Sequence, residues 1–388
     1  MNTPWLTKTY KKLLQETIQC FQTHGRPTKI ISTELEEGDD IETLFREIPQ
    51  EYEQALIVTY NTLWRPIVEL GRKLGVTSGV HGQNYLSKAD LTNFAELAGW
   101  EVFWSTGRTL IPLPFWWATL INRWVAPVVP WICLNTVLVA RRKRAREAKL
   151  ISIVVPARNE AGNIPTTTKR IPDLGRPTEI VFVEGNSKDN TWEVIQALPK
   201  TDELGRTIKI MQQPGKGKGD AVRKGFDNCE GDLLLILDAD LTMPPEDLPR
   251  YIRAIESGAC DFANGSRLVY NMDKKAMRFC NLVANKCFSI AFTWLLGQPL
   301  KDTLCGTKVI WREDYDRVIA NRAHFGDFDP FGDFDLLFGA AYLNLRIRDI
   351  PIRYRDREYG ETNISRWTHG CILLGMMLVA AKKLKFRK

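Results

Sequence analysis

The chain has 388 residues, 44% of them hydrophobic and 26% charged, with a formal net charge of +7. Length and composition exclude a disordered or fibrous chain and predict two globular domains with substantial cores. The eight cysteines form no Cys-x-x-Cys pair and there are only four histidines, which argues against a zinc site. With no secretory signal, those thiols point to a reducing cytoplasm. Basic residues cluster at 141–144 and 382–388, runs that suit an anionic membrane surface or nucleic acid, or simply form a solvated face.

In chain order, apolar residues at helical spacing predict a helix over 6–21, and 54–60 reads as a strand. A helix is expected over 87–98 with Ser87 as its cap, then strands at 101–104 and 132–140. Residues 111–140 are apolar and long enough to span a bilayer. However, Asn122 and Arg123 interrupt the run, and Pro112, Pro114, Pro127 and Pro130 punctuate it. The expectation is a loop followed by a buried strand. These elements make up a first domain at 1–143, with a basic linker at 144–149.

The pattern changes at Leu150. Strands are expected at 151–155, 179–183, 208–211 and 232–237, with helices after 156–160, over 189–198 and over 220–229. A glycine-rich turn, Gly215-Lys216-Gly217-Lys218-Gly219, precedes the last of these helices. Such alternation predicts an α/β domain over 150–388, with a mostly parallel sheet and helices on both faces. Ligands of such sheets bind beyond the carboxyl ends of the strands. Residues 156–160 and 238–240 both fall at such ends.

Asp238 and Asp240 are the sharpest chemical signal. In extended backbone, side chains at i and i+2 share a face about 6–7 Å apart. Two carboxylates so placed suit a hard divalent cation, Mg²⁺ or Mn²⁺, that also bridges phosphates. A solvated turn after a strand is the competing explanation.

The surrounding segments add to this pair. Val154 through Glu160, Val183 through Thr191 and Leu237 through Asp240 resemble, in order and spacing, family-2 glycosyltransferases of the GT-A (Rossmann-like) fold. Further matches are Gly217-Lys218-Gly219-Asp220-Ala221, Asn264-Gly265-Ser266-Arg267, residues 302–308 and 359–363. Within that family the chain is most similar to dolichol- and polyprenyl-phosphate sugar transferases. The resemblance implies that Pro156, Ala157, Arg158 and Glu160 line the base and ribose pocket. It further implies that Asp238 meets nucleotide and metal, that Asp240 holds the metal, and that Arg267 and Lys218 face phosphates. One departure stands out. Glu184-Gly185-Asn186-Ser187 replaces the family's Asp-Asp-Gly-Ser, so Glu184 can still accept hydrogen bonds from the nucleoside while the second carboxylate is missing.

A repeated acidic motif, Phe325-Gly326-Asp327-Phe328-Asp329 and Phe331-Gly332-Asp333-Phe334-Asp335, leads into a predicted helix. By resemblance an acidic residue here lies near the acceptor. Asp333 or Asp335 then serves as general base for a hydroxyl acceptor, or as an ordinary helix cap. Residues 278–297 and 367–388 read as interfacial or core helices, and the last has too few uninterrupted apolar residues to span.

The first domain resembles the carboxyl-terminal half of a class I S-adenosylmethionine-dependent methyltransferase. The carrying residues are 55–61, 83–87, 97–102 and the strand at 133–140. The glycine-rich turn that would bind that cofactor is missing, so a truncated, non-catalytic α/β segment is expected. Together these readings predict a cytoplasmic enzyme, peripheral on the inner face of the membrane. It would be an inverting, metal-dependent hexosyltransferase acting from a nucleotide-diphosphate sugar onto a polyprenyl phosphate, with no nucleic-acid partner. The alternatives are transfer to a sugar hydroxyl in polysaccharide assembly and a non-enzymatic nucleotide-sugar-binding module.

Overall fold

The computed structural model describes residues 4–21, 26–31, 41–73, 86–267, 279–324, 333–355, 359 and 366–386. The chain divides into two compact units, Met1–Lys143 with Ala381–Lys388, and Arg144–Ala380. Sequence reading had ended the second domain at residue 388, whereas the final basic residues group with the first unit.

The first unit contains α1 (Pro4–Phe21), β1 (Thr28–Ile31), α2 (Ile41–Arg46), β2 (Gln54–Tyr60), α3 (Arg65–Lys73), α4 (Lys88–Leu97), β3 (Trp100–Thr106), α5 (Trp116–Trp124) and β4 (Asn135–Arg142). Its four strands lie in the order β1-β2-β4-β3, with β1 parallel to β2 and β4 antiparallel to both its neighbours. β2 is buried along nearly its whole length because alternate residues feed two cores. Ile57 packs with Phe45, Leu91 and Trp100 on one side, while Leu56 and Val58 pack with Phe21 and Val137 on the other. Ser87 caps α4 as expected: its hydroxyl accepts from the Asp90 N–H at 3.2 Å, and the Asp90 carboxylate accepts from the Ser87 N–H at 2.8 Å.

Two local expectations change. β4 starts at Asn135 rather than Ile132, because Pro130–Ile132 forms a 3-10 turn. The strand then continues through Arg141 and Arg142. Arg141 pairs with its cross-strand neighbour Glu101 at 2.7 Å, and the Arg142 guanidinium lies 4.5 Å from the centre of the Trp100 ring. Residues 115–124, read as loop, contain the helix α5. Pro112 and Pro114 precede it and Pro127 follows, so the prolines bracket the helix instead of breaking it. Asn122 fastens the preceding loop to α5. Its side-chain oxygen accepts from the Leu110 and Ile111 N–H groups, each at 2.8 Å, and its amide donates to the Ile111 carbonyl at 2.7 Å. Among the described residues, no helix is long and apolar enough to cross a membrane.

The second unit begins with β5 (Ile151–Ala157), α6 (Ile164–Arg170), β6 (Thr178–Glu184), α7 (Thr191–Gln196), β7 (Thr207–Gln212), α8 (Lys218–Asn228) and β8 (Leu233–Ile236). It continues with α9 (Leu248–Glu256), β9 (Phe262–Ser266), α10 (Phe279–Leu296), β10 (Lys308–Trp311), α11 (Arg312–Ala320), α12 (Asp333–Tyr342), β11 (Ile347–Pro351) and α13 (Arg366–Ala380). The sheet order is β11-β9-β10-β8-β5-β6-β7, and only β10 runs antiparallel to its neighbours. This is the mostly parallel sheet expected. β5, β6 and β8 are continuous apolar runs because helices cover both their faces. α8 lies close over β5 and β6: a Cβ built on Gly225 would come within 2.4 Å of Val154.

The two apolar segments flagged in the sequence are both helical. In α10, Phe292 is fully buried and stacks on Phe338 of α12 with ring centres 5.7 Å apart, so this part of the helix belongs to the core. In α13, Leu373, Met376 and Ala380 point inward while Leu374 and Leu378 are exposed.

Candidate active site

β5 lies between β6 and β8 in the sheet, so the chain moves outward from it in opposite directions. Such a reversal opens a crevice at the carboxyl ends of the two central strands. Residues 158–160 follow β5 and residues 238–240 follow β8, and both segments therefore border that crevice.

The β5 side is built by hydrogen bonds between two loops. The Gly185 N–H donates to the Ala157 carbonyl at 2.8 Å. Asn159, in the left-handed region at φ 55°, donates its N–H to Ser187 Oγ at 3.0 Å, and its side chain accepts from the Lys188 N–H at 2.8 Å. The Glu160 N–H donates to Thr191 Oγ1 at 2.9 Å, and its buried carboxylate accepts from Asn163 Nδ2 at 2.7 Å. Pro156 is half-buried, Ala157 is buried and Arg158 is exposed.

Glu184 is buried. Its Oε1 accepts from the Ser187 N–H at 2.5 Å and its Oε2 accepts from Gln212 Nε2 at 3.2 Å. The longer acidic side chain thus closes its own turn. Asn186 then donates to the Gly215 carbonyl at 3.0 Å, and the Gly215 N–H donates to Asp220 Oδ2 at 2.8 Å. The glycine-rich turn before α8 is tied to the same wall.

On the β8 side, Asp238 and Asp240 are half-buried. The Lys218 ammonium meets Asp238 Oδ1 at 2.6 Å. Burial pushes the Asp238 carboxyl upward, but Lys218, with Lys308 and Arg267 behind it, outweighs that and holds the group below the ordinary carboxylate value. Asp240 Oδ1 accepts from both the N–H and the hydroxyl of Thr242, at 3.1 and 2.9 Å, which fixes the orientation of its carboxylate. Gly306 closes the far side. A Cβ there would lie 2.0 Å from Asp238 Oδ2 and 2.1 Å from Lys218 Nζ.

Arg267 forms a two-pronged bond to Asp302, with Nε–Oδ2 at 2.7 Å and Nη2–Oδ1 at 2.9 Å, and its N–H adds a third contact at 3.0 Å. Burial raises and the Arg267 charge lowers the Asp302 carboxyl, with a net fall below its ordinary value. Cys305, between Asp302 and Gly306, is buried and its thiol is pushed up to about 12 by desolvation, which makes it a packing residue rather than a nucleophile.

Asp333 is the first residue of α12. Asp335 is held by two guanidiniums, Arg223 at 3.4 Å and Arg322 at 3.3 Å. The first copy of that acidic motif, 325–329, lies outside the described residues, as do Gly360 through Asn363.

The clearest addition to the sequence reading is the segment 302–308. The sequence marks it as a motif without a role, and in the fold it supplies Asp302 beneath Arg267, Gly306 against Asp238 and Lys308 in the field around Asp238. The one-dimensional signal for Gly306 was its place in Cys-Gly-Thr; nothing in the sequence revealed what it abuts.

Residues 152–319 match the profile of glycosyl transferase family 2, a stretch that runs from β5 to α11 in the unit built on the mostly parallel sheet. The chain is similar to a dolichol-phosphate mannosyltransferase of Pyrococcus furiosus, at 38% identity over 219 residues, 55% of this chain and 59% of the relative. It is also similar to an undecaprenyl-phosphate 4-deoxy-4-formamido-L-arabinose transferase of Serratia proteamaculans, at 33% identity over 229 residues, 57% of this chain and 65% of the relative. The chain therefore spans less than two thirds of the length of these curated relatives. Among solved structures, a glucosyl-3-phosphoglycerate synthase of Mycobacterium tuberculosis in complex with Mn²⁺ and UDP resembles it at 18% identity. That match has a TM-score of 0.43 and covers 62% of this chain and 81% of that one.

Proposed function

We propose that the second unit transfers a hexose from a nucleotide-diphosphate sugar to a polyprenyl phosphate, inverting the anomeric centre in a single displacement. The observation that carries this reading is the Lys218–Asp238 pair, with Asp240 beside it, at the carboxyl end of β8 within the stretch that matches family 2. The acceptor class is supported by the two relatives, whose names both specify a prenyl phosphate.

The donor set fits a divalent cation. Asp238 and Asp240 offer hard oxygen ligands, and among the described residues no cluster of three or more His, Cys, Asp or Glu side chains gathers to hold a metal. Mg²⁺ and Mn²⁺ suit such a sparse site because substrate phosphates and water complete their shells. Bound there, the ion supplies neutralisation of the charge that builds on the diphosphate leaving group. Lys218 adds a second positive charge at the same place. Arg158, Glu160 and Glu184 shape the nucleoside side of the crevice, with the last two acting through the loops they fasten.

A phosphate acceptor is already ionised and needs no base. Asp335, engaged with Arg223 and Arg322, suits that chemistry better than proton abstraction, which would have to compete with two ion pairs. Association with a membrane surface follows from the lipid acceptor, and the cytoplasmic side is proposed with it. The first unit is proposed to be a methyltransferase-like scaffold, supported by the motifs that fall on β2, on the turn from α4 into β3 and on β4, while residues 83–85 of the remaining motif lie outside the described residues.

Purified protein given labelled nucleotide sugars and Mn²⁺ should label polyprenyl phosphate in preference to glycan acceptors. Labelling of glycans alone, with dependence on Asp333 or Asp335, would replace this reading with transfer to a hydroxyl. A second outcome follows from the contact at Gly306. Gly306→Ala should leave the melting temperature within a few degrees, because the atoms it meets are ends of flexible side chains. It should lower kcat about 10²-fold, since a displacement of about 1 Å in a positioning group costs that much. Unchanged kcat would show that the Asp238–Lys218 geometry is unimportant.

A further inference from the structure

The first unit carries an apolar surface that its own core does not use. α5 turns Ala118 and Asn122 inward, while Trp116, Leu120 and Trp124 face outward at 76%, 47% and 45% exposure. Their spacing of four residues places them along one side of the helix. The turn that follows adds Trp131 at 67% exposure. α3 adjoins this turn: Asn61 Nδ2, just before it, donates to the Trp131 carbonyl at 2.8 Å, and Trp64 Nε1 donates to the Ile132 carbonyl at 2.9 Å. From α3, Ile67 and Leu70 extend the surface at 60% and 56% exposure. Large apolar side chains exposed together in this way mark a docking surface.

Its chemistry identifies the occupant. Tryptophan favours the headgroup level of a bilayer, where an apolar ring and a polar N–H are both accommodated. No aspartate or glutamate occurs from residue 102 through 143, whereas Arg108 and Arg123 are basic. Glu69 on α3 is paired with Arg65 at 2.9 Å. The basic end of the chain joins the same unit beside α5. The Phe386 ring lies 5.0 Å from that of Trp124, Arg108 donates to the Lys385 carbonyl, and Lys382 is exposed on the intervening turn. Tryptophans rimmed by cations, with the one carboxylate of α3 neutralised by Arg65, complement an anionic lipid surface. A second copy would bring two cationic rims together.

We propose that this face of the first unit docks on the surface of an anionic bilayer, with Trp116 and Trp131 seated among the headgroups and Lys382, Lys383 and Arg123 meeting their charges. The inference stands apart from the sugar-transfer reading, because it concerns the other unit and its test measures no transfer.

The test uses the full chain and vesicles of phosphatidylcholine with about 30% phosphatidylglycerol, a charge density at which basic segments bind and salt weakens them. The protein should sediment with these vesicles, less so with phosphatidylcholine alone, and brominated lipid should quench its tryptophan fluorescence. Trp116→Ser with Trp131→Ser should lower the partition coefficient about tenfold or more with an unchanged melting curve, since both side chains are exposed. Lys382→Glu with Lys383→Glu should remove most of the preference for anionic vesicles. Equal partitioning of the tryptophan variant and the parent would overturn the proposal. So would a dimer that forms through this face, is lost in the tryptophan variant, and binds neither vesicle.

Discussion

Asp240→Ala is expected to lower sugar transfer by at least about 10³-fold, the scale on which loss of metal and leaving-group stabilisation acts, while the protein stays folded. The carboxylate stands at the crevice, oriented by the N–H and hydroxyl of Thr242. Removing it takes away the proposed metal ligand but no core packing, for Asp240 is half-buried just past the end of an apolar strand. The loss should persist at saturating donor and should not be recovered by raising Mn²⁺. Steady-state kinetics with a parallel melting curve checks this. Turnover within about threefold of the parent would show that the chemistry is organised elsewhere.

Arg267→Ala is expected to act mainly on stability, destabilising the second unit by about 3–5 kcal/mol, the usual consequence of stripping one partner from a buried pair. Asp302 has 1% of its side chain exposed and receives three bonds from Arg267. Without the guanidinium its buried carboxylate loses both prongs of the ion pair and keeps the backbone N–H groups of residue 267 and Leu304, each at 3.0 Å. Arg267→Lys should recover part of the loss, because a lysine supplies the charge but not the two-pronged geometry. Urea unfolding followed by circular dichroism reads the effect. A stable Arg267→Ala protein with its activity abolished would instead place this side chain on a substrate phosphate, the role the sequence resemblance implied.

These two residues also show what can be read from a sequence. The position of Asp240 was legible because a continuous apolar strand fixes where the chain emerges, but the extended backbone expected there is a turn at residues 239–240, where the Leu241 N–H donates to the Asp238 carbonyl at 3.2 Å. The same logic located β5, β6 and β8 closely. Arg267 was legible as a motif residue but not as a partner of Asp302, thirty-five positions away, since only the pairing of β9 with β10 brings their segments together. Gly306 illustrates the same limit: its place against Asp238 belongs to the folded chain. In the first unit, prolines obscured α5, because the sequence shows that they occur in the apolar run but not that they bracket a helix. Glu184 stood out as a departure from the family pattern, and its two hydrogen bonds give the reason a longer acid can serve there.

In the proposed function, Asp238 and Asp240 organise the donor's diphosphate together with a divalent cation. Calorimetric titration of nucleotide sugars into the full chain, with Mn²⁺ and with chelator, tests this role most directly. Binding should weaken at least about tenfold when the cation is removed, and the Asp240→Ala protein should bind equally weakly in both conditions. Equal affinity of the parent protein with and without Mn²⁺ would contradict that role.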